Sequence, residues 1–299
     1  MARTYKYTVD CGFTETQRIF YEENGYILFK KLVPEGDIDI CHQRFLDVCN
    51  GKVKVFTVMR DKTLRDKGET RGEYLVNKIQ ELLEDDVFYD YYAAHPRVVE
   101  VIKNIIGPNV TAIHSMLINK PPHSNTQHST HPIHQDMFYF PFKPADKIVG
   151  SWTAMEKINV ENGGLYVLPG THKGPLFPHG NSEDCSNEFY HGVRGFDHLP
   201  KLHLTMDKGD ALFFHPHLLH GSSPNMSKNF RKAISVHYAD SNCTFINTKG
   251  TVQERMAMDF EKLVNEKFGV TWDYINFFKM KSRLISGKPG KIQSMDSHL

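Results

Sequence analysis

Apolar residues in the first hundred positions recur at helical spacing, and the punctuation around them predicts where each helix begins and ends. "TETQRIFYEENG" opens with Thr14 and Gln17 in capping-box spacing and stops at Gly25. "YILFKKLVP" then reads as a strand ended by Pro34, followed by a helix from Pro34 or Glu35 to Asn50, stopped by Gly51. "PRVVEVIKNIIGP" repeats the pattern, with Pro96 at its start and Gly107 and Pro108 at its end.

Near residue 110 the period changes. "VTAIHSMLIN", "KIVGSWTAMEKI", "GGLYVLPG", "DALFFH" and "RKAISVHYA" are short apolar runs separated by Pro, Gly, Asn and Ser. Many short strands with turn signals between them predict a sandwich or barrel. A last helix is marked by "TVQERMAMDFEKLVNEKFG", with Thr251 and Glu254 as capping box and Gly269 as stop. The chain reads as one domain over 1–299. Residues 1–110 are mostly helical, 111–245 form the β core, and 246–299 supply a C-terminal helix and tail. The fold class is mainly β with flanking helices.

Composition narrows the function. A formal net charge of +1 gives no reason to expect nucleic acid as partner. No apolar run approaches the roughly 18 residues of a membrane span. Five scattered cysteines without a CxxC pair suit free thiols in a reducing compartment better than a disulfide scaffold or zinc ribbon. Seventeen histidines are many for this length, and several of them gather at 114–134 and 215–220.

In "HSTHPIHQDMFYFPF" three histidines, His128, His131 and His134, fall three apart, and Asp136 follows. On a strand a spacing of two puts His134 and Asp136 on one face. His131 precedes a proline, which confines it to extended conformations, and it is expected to pack or hydrogen-bond nearby. His128 belongs to a polar loop. "KGDALFFHPHLLHGSSPN" brings an alternating strand, Ala211 to Phe214, into His215, His217 and His220. Two histidines and one carboxylate are the donor set of non-heme Fe(II) oxygenases, which leaves coordination positions open. A closed zinc site favours four protein ligands, usually with thiolates, and no cysteine lies near either cluster.

In "FRKAISVHY", Arg231 shares a face with Ala233, Ser235 and His237. An inward arginine in a barrel strand needs an anionic partner. A bidentate carboxylate ligand and a structural salt bridge both satisfy it. His-x-Asp, then His, then Arg, all on strand-like segments, is the order found in Fe(II)/2-oxoglutarate oxygenases on a double-stranded β-helix.

The chain resembles the phytanoyl-CoA dioxygenase family nearly end to end. The resemblance is carried by "QRIFYEENGYILFKKLVP", "TVMRD", "HSMLINKPP", "HPIHQDMFYFPF", "WTAME", "GGLYVLPGTHKG", "KGDALFFHP", "LLHGSS" and "FRKAIS". It implies a double-stranded β-helix, a jelly-roll of the cupin kind. It also implies Fe(II), 2-oxoglutarate and O2 as cofactor and cosubstrates, with ascorbate as reductant. His134, Asp136 and His220 match the family's iron ligands. Arg231 and Ser222 match the pair that binds the distal carboxylate of 2-oxoglutarate. Lys78 in "VNKIQ", Met116 and Trp152 match further residues lining that pocket. The implied reaction is 2-hydroxylation of a 3-methyl-branched acyl-CoA in fatty acid alpha-oxidation. Alternatives are a hydroxylase of the same group acting on a non-CoA small molecule, and a catalytically silent ligand-binding member.

"MARTYKYTVDCG" shows no presequence, whereas Ser297-His298-Leu299 is similar to the C-terminal peroxisomal address Ser-Lys-Leu. The expected location is peroxisomal, with the import receptor as partner, or cytoplasmic if the tripeptide is not read. The phosphates of an acyl-CoA need a basic approach. Two segments offer one: Lys52, Lys54, Arg60, Lys62, Arg65, Lys67, Arg71 and Lys78, or "KMKSR" at 279–283.

Overall fold

A computed structural model describes residues 4–9, 12–54, 57–60, 68, 72–122, 129–181 and 191–293. Helix α1 (Glu15–Asn24) starts at the expected capping box. Thr14 accepts from the Gln17 amide, Gln17 reaches back to the Thr14 amide, and Gly25 closes the helix at φ 77°. Helix α2 (Glu35–Cys49) follows Pro34. Helix α3 (Pro96–Ile106) has proline at its first position and Gly107 at its C-cap. Near the C-terminus lie α4 (Glu254–Phe268) and α5 (Tyr274–Lys281). Among the described residues no helix is long and apolar enough to cross a membrane.

The strands are, in chain order, β1 (Tyr26–Phe29), β2 (Thr57–Arg60), β3 (Val76–Gln80), β4 (Val110–Lys120), β5 (His131–His134) and β6 (Phe142–Lys143). They continue with β7 (Ile148–Ala154), β8 (Leu165–Val167), β9 (Gly180–Asn181), β10 (His191–Gly192) and β11 (Leu202–His203). The last are β12 (Ala211–Phe214), β13 (His220–Ser222), β14 (Arg231–Asp240), β15 (Thr244–Phe245) and β16 (Arg283–Ser286). An eight-stranded antiparallel sheet runs β1-β12-β7-β14-β4-β3-β2, with β16 also on β4. A four-stranded sheet runs β11-β8-β13-β5.

Alternation assigns the faces. Ile234, Val236 and Tyr238 of β14 point outward into a core built with Ile38, Cys41 and Phe45 of α2 and Val98, Ile102 and Ile105 of α3. Burying each such side chain is worth roughly 1.5–3 kcal/mol, which is what fixes the helices to the sheet. Trp152, Ala154, Leu212, Phe214 and Ala233 point inward and meet Leu165 and Val167 of the smaller sheet. Two sheets enclosing a common interior, with helices on one outer face, match the expected jelly-roll.

Three expectations change. The main sheet is not confined to 111–245, because β1, β2 and β3 precede that range and β16 follows it. The first strand stops at Phe29, since Lys31 adopts φ 48° and turns the chain, its amide donating to Asp210 Oδ1 (2.8 Å). The last helix starts at Glu254 without the Thr251–Glu254 box. Instead Thr251 donates to the Thr248 carbonyl (2.6 Å) and Glu254 accepts from the Gly250 amide (3.1 Å). The reason is tertiary: Gln253, at the N-cap, spends its side-chain amide on the carbonyls of Met137 (2.7 Å) and Phe140 (2.5 Å). The stop at Gly269 stands, in left-handed conformation at φ 67°.

Candidate metal centre

The smaller sheet places His220 of β13 directly opposite His134 of β5. Asp136 is not itself in a strand. β5 ends at His134, and Asp136 opens a one-turn helix over Asp136–Tyr139. Gln135 between them keeps extended backbone, φ −119° and ψ 127°, so the two side chains still share a side. Among the described residues one group of three or more His, Cys, Asp or Glu side chains brings its donor atoms within 4.8 Å of one another: His134, Asp136 and His220, all buried.

Backbone carbonyls set the tautomers. The Nδ1 of His134 lies 2.8 Å from the Pro132 carbonyl, and that of His220 lies 2.9 Å from the Leu218 carbonyl. A carbonyl only accepts, so each Nδ1 carries the proton and each Nε2 offers a lone pair. Both Nε2 atoms face the same oxygen, Asp136 Oδ1, at 3.1 Å and 3.6 Å. Burial, then the neighbouring His134, pulls His220 down to about 4, leaving it neutral and able to ligate at neutral pH. Burial pushes the Asp136 carboxyl up, but the neighbouring His220 and His237, with the hydrogen bond from His237, outweigh it. The carboxyl is held well below its usual range. Two imidazoles and one carboxylate fit a divalent iron. The described cysteines, Cys41, Cys49 and Cys243, are buried thiols pushed up to about 12 and lie outside the donor cluster.

The loop carrying Asp136 is pinned. Gln135 is fully buried; its amide nitrogen donates to Pro175 (3.0 Å) and His217 (2.9 Å) carbonyls, and its oxygen accepts from the Phe177 amide (2.8 Å). His131 stacks on His134 with centroids 3.9 Å apart, in the packing role expected of it. His215 and His217 serve structure instead, His215 against Asp146 (3.3 Å) and His217 against the Gly174 carbonyl (3.2 Å). His128, Ser297, His298 and Leu299 lie outside the described residues.

The remaining expected residues, Ser222 of the smaller sheet apart, line the interior face of the main sheet. Met116, Ser235 and Trp152 occupy one register row, and Lys78, Ile118 and Ala233 the next. Arg231 lies one row further, opposite Lys120. Arg231 is buried with its guanidinium 5.6 Å from the centre of the Trp152 ring. Lys78 is buried; burial chiefly holds His114 and His131 well below the usual imidazole range, and the Lys78 charge adds to it. Ser222 is buried on β13 and accepts from Lys120 Nζ (2.8 Å), which also donates to the Ser223 carbonyl (2.6 Å).

Sequence reasoning did not single out Lys120, His114 or His237. Alternation along β14 places His237 on Arg231's face, but its contact with Asp136, Nε2 to Oδ2 at 2.6 Å, depends on a loop a hundred residues away. "KMKSR" offers less free charge than expected. Lys281 is engaged with Glu81 (3.3 Å) and His114 (2.9 Å), and Arg283 stacks over Tyr89 (3.5 Å) and donates to the Leu83 carbonyl (2.7 Å). Lys62, Arg65, Lys67 and Arg71 of the other basic segment lie outside the described residues.

Known proteins align with this arrangement. A family model described as phytanoyl-CoA dioxygenase (PhyH) matches residues 21–233. The peroxisomal phytanoyl-CoA dioxygenase of Rattus norvegicus is 43% identical over 292 residues, covering 95% of this chain and 86% of the relative. A probable phytanoyl-CoA dioxygenase of Caenorhabditis elegans is 43% identical over 290 residues, covering 91% and 93%. Among solved structures, EvdO2 from Micromonospora carbonacea var. aurantiaca in complex with 2-oxoglutarate superposes with a TM-score of 0.61 at 16% identity, covering 80% of this chain and 95% of that one. The epimerase SnoN in complex with Fe3+, alpha ketoglutarate and nogalamycin RO gives 0.59 at 21% identity, covering 79% and 86%. These two likenesses establish the fold; the sequence matches establish kinship. The chain belongs to the phytanoyl-CoA dioxygenase family.

Proposed function

We propose that this protein is an Fe(II)- and 2-oxoglutarate-dependent dioxygenase that hydroxylates carbon 2 of 3-methyl-branched acyl-CoA thioesters, in fatty acid alpha-oxidation. The observation that carries the reading is the convergence of His134 Nε2 and His220 Nε2 on Asp136 Oδ1, with the family membership of the whole chain behind it. His134, Asp136 and His220 hold the metal. An iron(II) ion held there, with 2-oxoglutarate and dioxygen, supplies the chemistry that turns a C–H bond into C–OH while 2-oxoglutarate is oxidised to succinate and CO2.

The chain's own residues bind, orient and exclude water. Arg231 offers a planar fork of donors to the distal carboxylate of 2-oxoglutarate, and Ser222 adds a hydroxyl. Trp152, beside the guanidinium, walls the pocket, and Met116 shares its register row. Lys78 contributes positive charge on the same interior face. Pinning of His134 and His220 by carbonyls means that neither ring has to reorient for the metal to bind.

Ascorbate is the proposed reductant. The proposed location is the peroxisome, reached through Ser297-His298-Leu299 and an import receptor; the rat relative is named peroxisomal. Substrate class is tested by offering phytanoyl-CoA, the free acid and a panel of non-CoA acids and amines to the iron-loaded protein. The expected product is a 2-hydroxyacyl-CoA, with turnover of the thioester far above the rest. Turnover of a non-CoA compound in its place would move the substrate assignment to the wider group.

A further inference from the structure

The two oxygens of Asp136 have separate neighbours. Oδ1 faces the Nε2 atoms of His134 and His220, whereas Oδ2 meets the Nε2 of His237 at 2.6 Å. We propose that His237 is a positioning residue that fixes the Asp136 carboxylate for metal binding, and that Gly150 is the space that admits it. The proposal rests on the metal-site reading above.

His237 comes from β14, on the main sheet, and Asp136 from the turn after β5, on the smaller one, so this bond ties the two sheets at the donor cluster. A carboxylate accepts, hence His237 Nε2 carries the proton and donates it. The ring is buried, and its Nδ1 has no hydrogen-bond partner among the described residues. A site selected for packing alone would be filled more easily by an apolar ring than by an imidazole with one unsatisfied nitrogen. What the imidazole adds is the donor aimed at Oδ2. That donor leaves Oδ1 turned towards the two histidines.

The surroundings are shaped around it. His237 stands in one register row between His114 of β4 and Gly150 of β7, and Phe214 of β12 lies beyond Gly150. A Cβ at position 150 would sit 3.0 Å from His237 Nε2 and 2.8 Å from Phe214 Cζ. Phe140 closes the other side, with ring centroids 4.7 Å apart. Immediately after His237 the register with β4 shifts, an irregularity of the kind that re-aims a side chain.

Two substitutions separate a donor from a filler. His237→Phe keeps an aromatic ring and loses the donor; His237→Gln loses the ring and keeps an amide N–H able to reach Oδ2. The readout is Mn(II) affinity of the full chain, from the free-ion spin-resonance signal during titration without 2-oxoglutarate. The expected order is wild type, then His237→Gln within about threefold, then His237→Phe weakened 10- to 100-fold, the range for losing a group that orients a metal ligand. Gly150→Ala, which pushes His237 without altering it, is expected to weaken Mn(II) by a similar factor. If His237→Phe binds like wild type while His237→Gln is weakened, the role is packing and the proposal is overturned. Equal affinity in all four proteins overturns it too, with the metal site intact. A wild type that binds no Mn(II) overturns the metal reading itself, and the proposal with it.

Discussion

His134 and Asp136 were legible in the sequence as a pair sharing one face, and His220 only once the ordered set and the resemblance were added. A histidine and a carboxylate two apart say little alone; the second cluster offered His215, His217 and His220 together, and the resemblance picked His220 from the three. His237 and Lys120 were not legible there, because each matters through contacts with a loop or strand remote in the chain, His237 at Asp136 Oδ2 and Lys120 at Ser222 Oγ and the Ser223 carbonyl. Arg231 lay between: alternation turned it inward, and only the resemblance said what for. Its assignment predicts that Arg231→Ala loses a charge-assisted contact of about 2–3 kcal/mol. Affinity for 2-oxoglutarate should fall by roughly a hundredfold in a direct binding titration. Unchanged affinity would remove Arg231 from the cosubstrate site.

Helix ends and strands were legible where the signals were local. Thr14 with Gln17, Pro96 and Gly269 all act where their spacing predicted. The start of α4 was misplaced because Gln253 is recruited by Met137 and Phe140, carbonyls more than a hundred residues earlier. The same kind of contact holds the Asp136 segment, through Gln135 and its three partners. Gln135→Ala would strand two carbonyls and an amide, at a cost of about 1–3 kcal/mol for each group left unsatisfied. The expected result is a melting temperature lower by several degrees, at roughly 2–4 °C per kcal/mol for a large domain. Metal affinity should fall with it, whereas a melting curve superimposable on wild type would show that the loop is held by something else.

At the scale of the whole molecule, the sheets and helices were visible as kinds of element, but the pairing was not. Nothing local says that β1 runs beside β12 or β3 beside β4. β14 shows why: helices cover one face and the active interior the other, so Arg231, Lys232, Ser235 and His237 are buried in a strand that composition alone reads as half polar. The histidines add a pH dependence. Burial pulls His172 and His217 down to about 4 and His179 to about 3, while in the unfolded chain each titrates near 6.5. Between those values the unfolded state binds more protons, so stability rises with pH across that window and is lost as pH falls from about 6.5 towards 4. Urea midpoints at successive pH values should follow that slope; a flat profile would mean that these rings are not buried in neutral form. The central claim is an oxidation coupled to 2-oxoglutarate. Its most direct test is succinate formation by the purified protein with Fe(II), 2-oxoglutarate and O2, with and without phytanoyl-CoA. Strong stimulation by the thioester is expected, with one 2-hydroxyacyl-CoA formed for each stimulated succinate. No stimulation by the thioester, with iron demonstrably bound, would contradict it.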